Sequence, residues 1–220
     1  GYSLDTKEAN RPDSTNDGLS NPYVGANFRL LNQADAPVNL DFGILARVQV
    51  LEAELGEEGK DGTFNRGNHS IELNTSIGHK WNEANEWRLT AAAIYNEDGE
   101  TKFKDADESY DLETDNSLDF SLTAEYQYRP VKEFMMIGAV KALRVGEVDS
   151  DANGTDVTAD AHLDMDFTFV AKYLVTDTFI FRFNYEISRL EEYDIKTGGT
   201  KSKLKERQAN LYGFGVDILF

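Results

Sequence analysis

The chain has 220 residues, a formal net charge of −18 and a mean hydropathy of −0.53. It has no cysteine, which excludes disulfides and thiolate-held metals. Its acidity excludes nucleic acid as a natural partner, because phosphate binding needs clustered Lys and Arg.

Beside this polarity stand 13 Phe, 10 Tyr and 2 Trp. The longest apolar run, FMMIGAV at 134–140, falls far short of the ~18 residues of a membrane helix. The polar opening GYSLDTKEANRPD contains no secretory leader, so any such signal is expected to have been removed already. The length suits one domain over 1–220.

In chain order the dominant pattern has period two. Nine segments carry it, at roughly 22–33, 38–54, 69–81, 86–96, 117–129, 134–146, 161–175, 178–190 and 208–220. In NSLDFSLTAEYQYRP, Leu118, Phe120, Leu122, Ala124, Tyr126 and Tyr128 alternate with Asp119, Ser121, Thr123, Glu125, Gln127 and Arg129. HLDMDFTFVAKYLV and FIFRFNYEIS alternate in the same way, whereas FMMIGAVKALRV does so poorly and is expected to carry a bulge or to be buried on both faces. These segments exceed the five or six residues of ordinary soluble strands and match the ~9–11 of a tilted membrane strand. The connections ADAP (34–37), NEAN (82–85), VKE (131–133) and TD (176–177) are tight, while those near 55–68, 97–116, 147–160 and 191–207 are long and polar. Short turns at one rim and long loops at the other predict an all-β fold. The expected architecture is a transmembrane antiparallel up-and-down β-barrel of about 10 strands, with 12 possible, short periplasmic turns and long acidic extracellular loops.

A barrel in lipid satisfies its backbone by closing on itself, so its outer face must be apolar and its inner face can be polar. Trp81, Trp87, Tyr128, Phe134, Tyr173 and Phe179 cluster near the short turns and read as an aromatic girdle at one interface. The chain ends LYGFGVDILF, in which Tyr212, Phe214, Val216, Ile218 and Phe220 alternate. This terminal strand resembles the closing strand of bacterial outer-membrane β-barrel proteins. The resemblance implies integral placement in the bacterial outer membrane, with lipid, lipopolysaccharide and the barrel-assembly machinery as partners. There the final alternating segment with its Phe is the address the assembly machinery reads. A shorter stretch, GLSNPYVGANFRLL at 18–31, is similar to outer-membrane proteins grouped with meta-pathway phenol degradation, which would imply an aromatic or hydrophobic cargo. In general layout the chain resembles the small monomeric porins, which makes a monomer the default. Even strand numbers with both termini in the periplasm are usual; nine segments therefore lead to the expectation of a further strand before residue 1.

On this reading Arg29, Arg47, Arg88, Arg129, Arg182, Asp119, Glu125, Asp164, Asp166 and Glu186 line the lumen, with Lys80, Lys141, Lys172, Asp41, Glu72 and Asp217 beside them. That is eight cations against eight anions, so the surplus acid sits in the loops: 96–116 holds nine acids and two lysines, and 146–160 five acids and no base. Within the latter, DSDANGTDVTAD sets Asp149, Asp151, Asn153, Gly154 and Asp160 at the spacing of a calcium loop and resembles an EF-hand loop. Asp156, the Asp in the place of a terminal Glu and the lack of flanking helices depart from that pattern; a D/N/G-rich hairpin is the alternative. Calcium here is the one cofactor the sequence suggests. Only three histidines are present, and Asp160, His162 and Asp164 have no activated serine nearby, so no enzyme is expected. The expected function is a porin-like channel for passive diffusion of small polar or ionic solutes, cation-favouring through its acidic loops. The alternative is a closed structural or adhesive barrel whose loops bind divalent cations, lipopolysaccharide or a partner protein.

Overall fold

The computed structural model describes residues 4–6, 14–16, 22–49, 53–56, 68–104, 109–152, 154–176 and 179–218. These residues form strands and turns, with no helix among them. Strands β1 (Leu4–Thr6) and β2 (Ser14–Asn16) make a separate hairpin. The first long strands are β3 (Tyr23–Leu31) and β4 (Asn39–Arg47), followed by the short β5 (Ala53–Gly56). Next come β6 (Asn68–Asn82), β7 (Asn85–Lys104), β8 (Ser109–Thr114), β9 (Ser117–Val131) and β10 (Phe134–Val145). Then follow β11 (Val148–Ala152), β12 (Thr155–Ala159), β13 (His162–Leu174), β14 (Phe179–Leu190), β15 (Tyr193–Thr197), β16 (Thr200–Leu204) and β17 (Arg207–Ile218). Strands β3 to β17 belong to one sheet.

Nine of them form a wall in the order β3-β4-β6-β7-β9-β10-β13-β14-β17, every neighbour antiparallel. These are the nine alternating segments of the sequence. Local chemistry sets their turns. Asn32 accepts backbone N–H bonds from Asp35 and Ala36, each 2.9 Å, and its side chain accepts one from Ala34 at 3.1 Å. Asn82 Oδ1 accepts from Ala84 N and Asn85 Nδ2, both 2.9 Å, which folds the NEAN turn onto itself. In β10 the expected bulge is present, with the register shifting between Phe134 and Met136 opposite β9, but burial on both faces is not: Gly138, Val140 and Arg144 are exposed, and the alternation fades because the face shared with Asp166 carries Met135, Ile137, Ala139 and Leu143.

The acidic segments expected to be solvated loops are largely strand. Above the wall, β5, the upper part of β7, β8, β11, β12, β15 and β16 pair side by side in that order as a collar. Only β5 against β7 is parallel. Each hairpin rising from the wall satisfies its backbone on the next one, which free loops would have left to water.

The expected closure into a barrel is not present among the described residues: β3 pairs with β4 alone and β17 with β14 alone. In a nine-strand meander the first and last strands run the same way, so the antiparallel pairing used throughout this wall cannot join them.

Burial inverts the soluble rule. In β9, Asp119 is 7% exposed, while Leu118, Phe120 and Leu122 on the opposite face are 48–50% exposed. The same holds along β13, where Phe167 and Phe169 are exposed and Asp164 and Asp166 are half-buried. On these strands the polar face is the more covered one and the apolar face the exposed one.

Candidate functional site: the polar face of the wall and its collar

Cross-strand register puts the ten residues chosen as lumen-lining on one face. Arg29, Asp41, Ser76, Thr90, Thr123, Lys141, Asp166, Ser188 and Ala209 form one row across all nine strands. Arg88, Glu125, Ala139, Thr168, Glu186 and Leu211 form another. Arg47 stands opposite Ser70, and Arg182 opposite Lys172 and Gly215. Gly213 and Gly215 leave the wall thin there, and a Cβ at Gly215 would lie 3.4 Å from the Arg182 guanidinium.

Many of these charges are held along the wall. Arg29 grips Asp41 with two bonds, Nε to Oδ1 at 2.7 Å and an amino group to Oδ2 at 3.1 Å. An amino nitrogen of Arg88 lies 3.7 Å from Glu86. Asp166 accepts from Ser188 at 2.6 Å and faces Lys141 in register. Arg129 reaches the Met135 sulfur at 3.4 Å. A cavity of about 530 Å³ opens over the Arg29–Asp41 pair, lined by Asn27, Asn74, Ser76, Arg88 and Thr90. Glu86 and Arg207 join this face as one further anion and one further cation that the alternation alone did not single out. Asn96, which carries no charge to mark it in the sequence, joins them. Asn96 Nδ2 donates to Asp119 Oδ2 at 2.9 Å and to Ser117 Oγ at 3.1 Å, and Asp119 Oδ1 accepts the Gly146 N–H at 2.9 Å. Asn96, Asp119 and Ser70 are the most enclosed polar side chains on the described wall, at 6–7% exposure.

At the top of the polar face the pattern changes phase on six strands together. The polar face ends at Asn96, Ser117, Val145, His162, Leu190 and Arg207. Its continuation in the collar begins at Gly99, Thr114, Val148, Ala159, Tyr193 and Leu204. The step is three residues in every case, where a regular strand returns to the same face after two or four. In β7 the extra residue appears as a register shift opposite Asn68 and Ser70. Elsewhere two residues outside any strand intervene, at 115–116, 146–147, 160–161, 191–192 and 205–206.

Above the step the chemistry of the faces is exchanged. Leu112, Thr114, Val148, Ser150, Ala152, Val157, Ala159, Tyr193, Ile195, Ser202 and Leu204 share one collar face, with no charge among its described side chains. Glu100, Glu113, Asp149, Asp151, Asp156, Asp194, Lys196, Lys201 and Lys203 share the other. The His162 ring, on the wall's polar face, stacks on Tyr193 with centroids 4.0 Å apart and planes 9° apart, which ties the uncharged collar face to the polar wall face. Lys201 Nζ lies 2.6 Å from Asp194 Oδ2; the contact holds the Asp194 carboxyl below the usual carboxylate range and raises the Lys201 ammonium.

The calcium-like stretch is the β11–β12 hairpin. Thr158 Oγ1 donates to Asp149 Oδ1 and Gly154 N to Asp151 Oδ1, both at 2.7 Å, while Asp160 is 3.2 Å from Lys196 Nζ. Asn153 lies outside the described residues, and no group of three or more acids or histidines is gathered for a metal among those described. His162 Nδ1 meets the Asp160 backbone oxygen at 3.2 Å, and its Nε2 lies 3.7 Å from Asp164 Oδ1.

At the short-turn rim, Trp81 is 61% exposed, with His79 and Tyr126 rings 6.4 and 6.3 Å away. Trp87 stands opposite both His79 and Tyr126. Tyr128, Tyr173 and Phe179 are exposed at that rim, and Phe134 pairs with Tyr173. In the last strand Tyr212 stacks against Tyr185 at 6.0 Å and Phe214 lies 5.2 Å from Phe183, with Val216 exposed beyond them. The side chain of Ile218 and all of Phe220 lie outside the described residues.

The architecture defines an all-β protein built on an antiparallel up-and-down sheet whose apolar face is the exposed one. Comparison with protein-family models and with curated proteins gives no match.

Proposed function

We propose that the chain builds an integral outer-membrane β-barrel, closed by a pairing beyond the antiparallel ones described, whose polar face lines a channel for passive diffusion of small polar or ionic solutes. One observation carries this reading: large apolar side chains are exposed along one face of the wall, while its charges gather on the other, where Asp119 is 7% exposed and Asp164, Asp166 and Glu186 are half-buried. In water that arrangement would leave Phe120, Phe167, Phe181 and Phe214 at 41–86% exposure with no gain from burial. In lipid it is the low-energy arrangement.

Dimensions support it as well. From Leu118 to Tyr128 the apolar face of β9 runs about ten residues, or ~33 Å at ~3.3 Å each, and a tilt of ~45° brings that to ~23 Å, close to the ~25 Å apolar band of such barrels. The aromatic rim then lies at one interface and the phase step at the other. Because the charges of the polar face balance and many are held along the wall, water can fill the lumen between them. The test is a liposome-swelling assay with the refolded protein, using heat-modifiable electrophoretic migration to establish folding. Swelling that slows as solute size rises supports the channel; folded protein that admits no solute refutes it.

A further inference from the structure

We infer that the collar is the channel's filter, and that its uncharged face selects small uncharged solutes while its acids face away from the passage. This rests on the channel reading and replaces the expectation that acidic loops concentrate cations at the mouth. Six strands each shift by three residues at one level, and the face that continues the lumen side then carries Leu112, Val148, Val157, Ile195 and Tyr193. The His162–Tyr193 stack fixes which collar face that is.

Register places Glu100, Glu113, Asp151 and Asp156 in one row on the opposite face. Like charges directly opposite one another are unfavourable, and such a row persists only where water screens it. The step supplies the reason for the exchange. Below it the outer face meets an apolar medium and must be apolar; above it the outer face meets water and can hold the chain's charge. A carboxylate on that side is separated from the passage by the sheet and screened within ~8 Å at physiological salt. The solute therefore meets an apolar and hydroxyl surface first and the balanced charges of the wall afterwards. An ion must shed part of its hydration to pass the first, whereas a neutral solute loses little.

Two measurements test this. The chain has no cysteine, so single cysteines can be placed freely. Asp156→Cys should react with a bulky polymer-linked maleimide much faster than Val157→Cys; the reverse order would overturn the inference whether or not the protein conducts. Reversal potentials under a KCl gradient then separate the faces. Neutralising the outward row with Glu113→Gln, Asp151→Asn and Asp156→Asn should leave the cation-to-anion permeability ratio unchanged, while Val157→Asp should raise it about threefold or more. In swelling assays a neutral pentose should enter faster than its aldonate or an amine of the same size. A large loss of cation preference in the triple variant would refute the filter and leave the channel standing. Correct labelling with no conductance and no swelling would refute the channel and the filter with it.

Discussion

Phe167 and Leu163 lie on the same face of β13 and are almost equally exposed, at 41% and 39%. Phe167 is near the middle of the strand and Leu163 is one residue from its upper end, just below the phase step. If water covers this face, replacing either by Arg is an ordinary surface change within about 0.5 kcal/mol, and the two should be alike. If lipid covers it, Phe167→Arg puts a cation near the midplane at a cost of ~2–4 kcal/mol, while Leu163→Arg near the interface costs ~0–1 kcal/mol. The first figure corresponds to a loss of about 30- to 700-fold in the folding equilibrium. Thr168→Arg, on the polar face beside Phe167, supplies the control and should cost far less than its neighbour. The assay is reversible urea unfolding in phosphatidylcholine vesicles, followed by the fluorescence of Trp81 and Trp87. Equal and small costs at 163 and 167 would refute the assignment of this face to lipid.

Asp119→Ala should cost about 2–3 kcal/mol in the same assay, because it leaves the Gly146 N–H and the Asn96 amide without their enclosed acceptor; a cost below the noise would mean that water replaces the carboxylate freely. At Gly146 a Cβ would stand 2.6 Å from the Leu118 carbonyl oxygen, so Gly146→Ala must push β9 and β10 apart at the phase step. A loss of ~1–3 kcal/mol is expected, with amide exchange rising at the top of those strands first. The Asp194–Lys201 contact should tie β15 to β16 from the ordinary carboxylate range up to the ordinary lysine range. With the Asp194 pKa lowered, its contribution is complete above the unfolded value and disappears as pH falls through the folded one. With the Lys201 pKa raised, its contribution disappears as pH rises through the folded value. Amide protection in β15–β16 should therefore fall in strong acid in the parent, and Asp194→Asn should abolish that dependence.

Particular residues explain what could be read from the chain. Most of the wall strands were legible because an apolar row alternates with a largely polar one over nine or more residues, so period two outweighs local noise, whereas β10 shows only as a long apolar segment. The polar face was legible for the same reason, since register follows from alternation once neighbours are antiparallel. The collar was not. Its strands β8, β11, β12, β15 and β16 are five or six residues long, and their alternation keeps the wall's parity in the sequence while the backbone steps by three, so nothing in the sequence marks the exchange of faces. Read in the wall's phase, Val148, Val157 and Ile195 fall on the wrong side and the acids look like a solvated loop. Strand β7 shows the difficulty within a single element: it runs unbroken from Asn85 to Lys104, yet its faces exchange between Asn96 and Gly99. The Asn96–Asp119 contact was hidden for another reason. It depends on pairing between residues 23 apart, and uncharged Asn gives no signal of its own.

The most direct measurement of the central claim is a depth scan along β13. Single cysteines at each position from 163 to 173 would carry an environment-sensitive fluorophore in vesicles made with brominated lipid. The account predicts quenching with period two: strong at the odd positions, including 167 and 169, and weak at the even positions, which face the lumen. Uniform quenching, no quenching, or strong quenching at the even positions would contradict it.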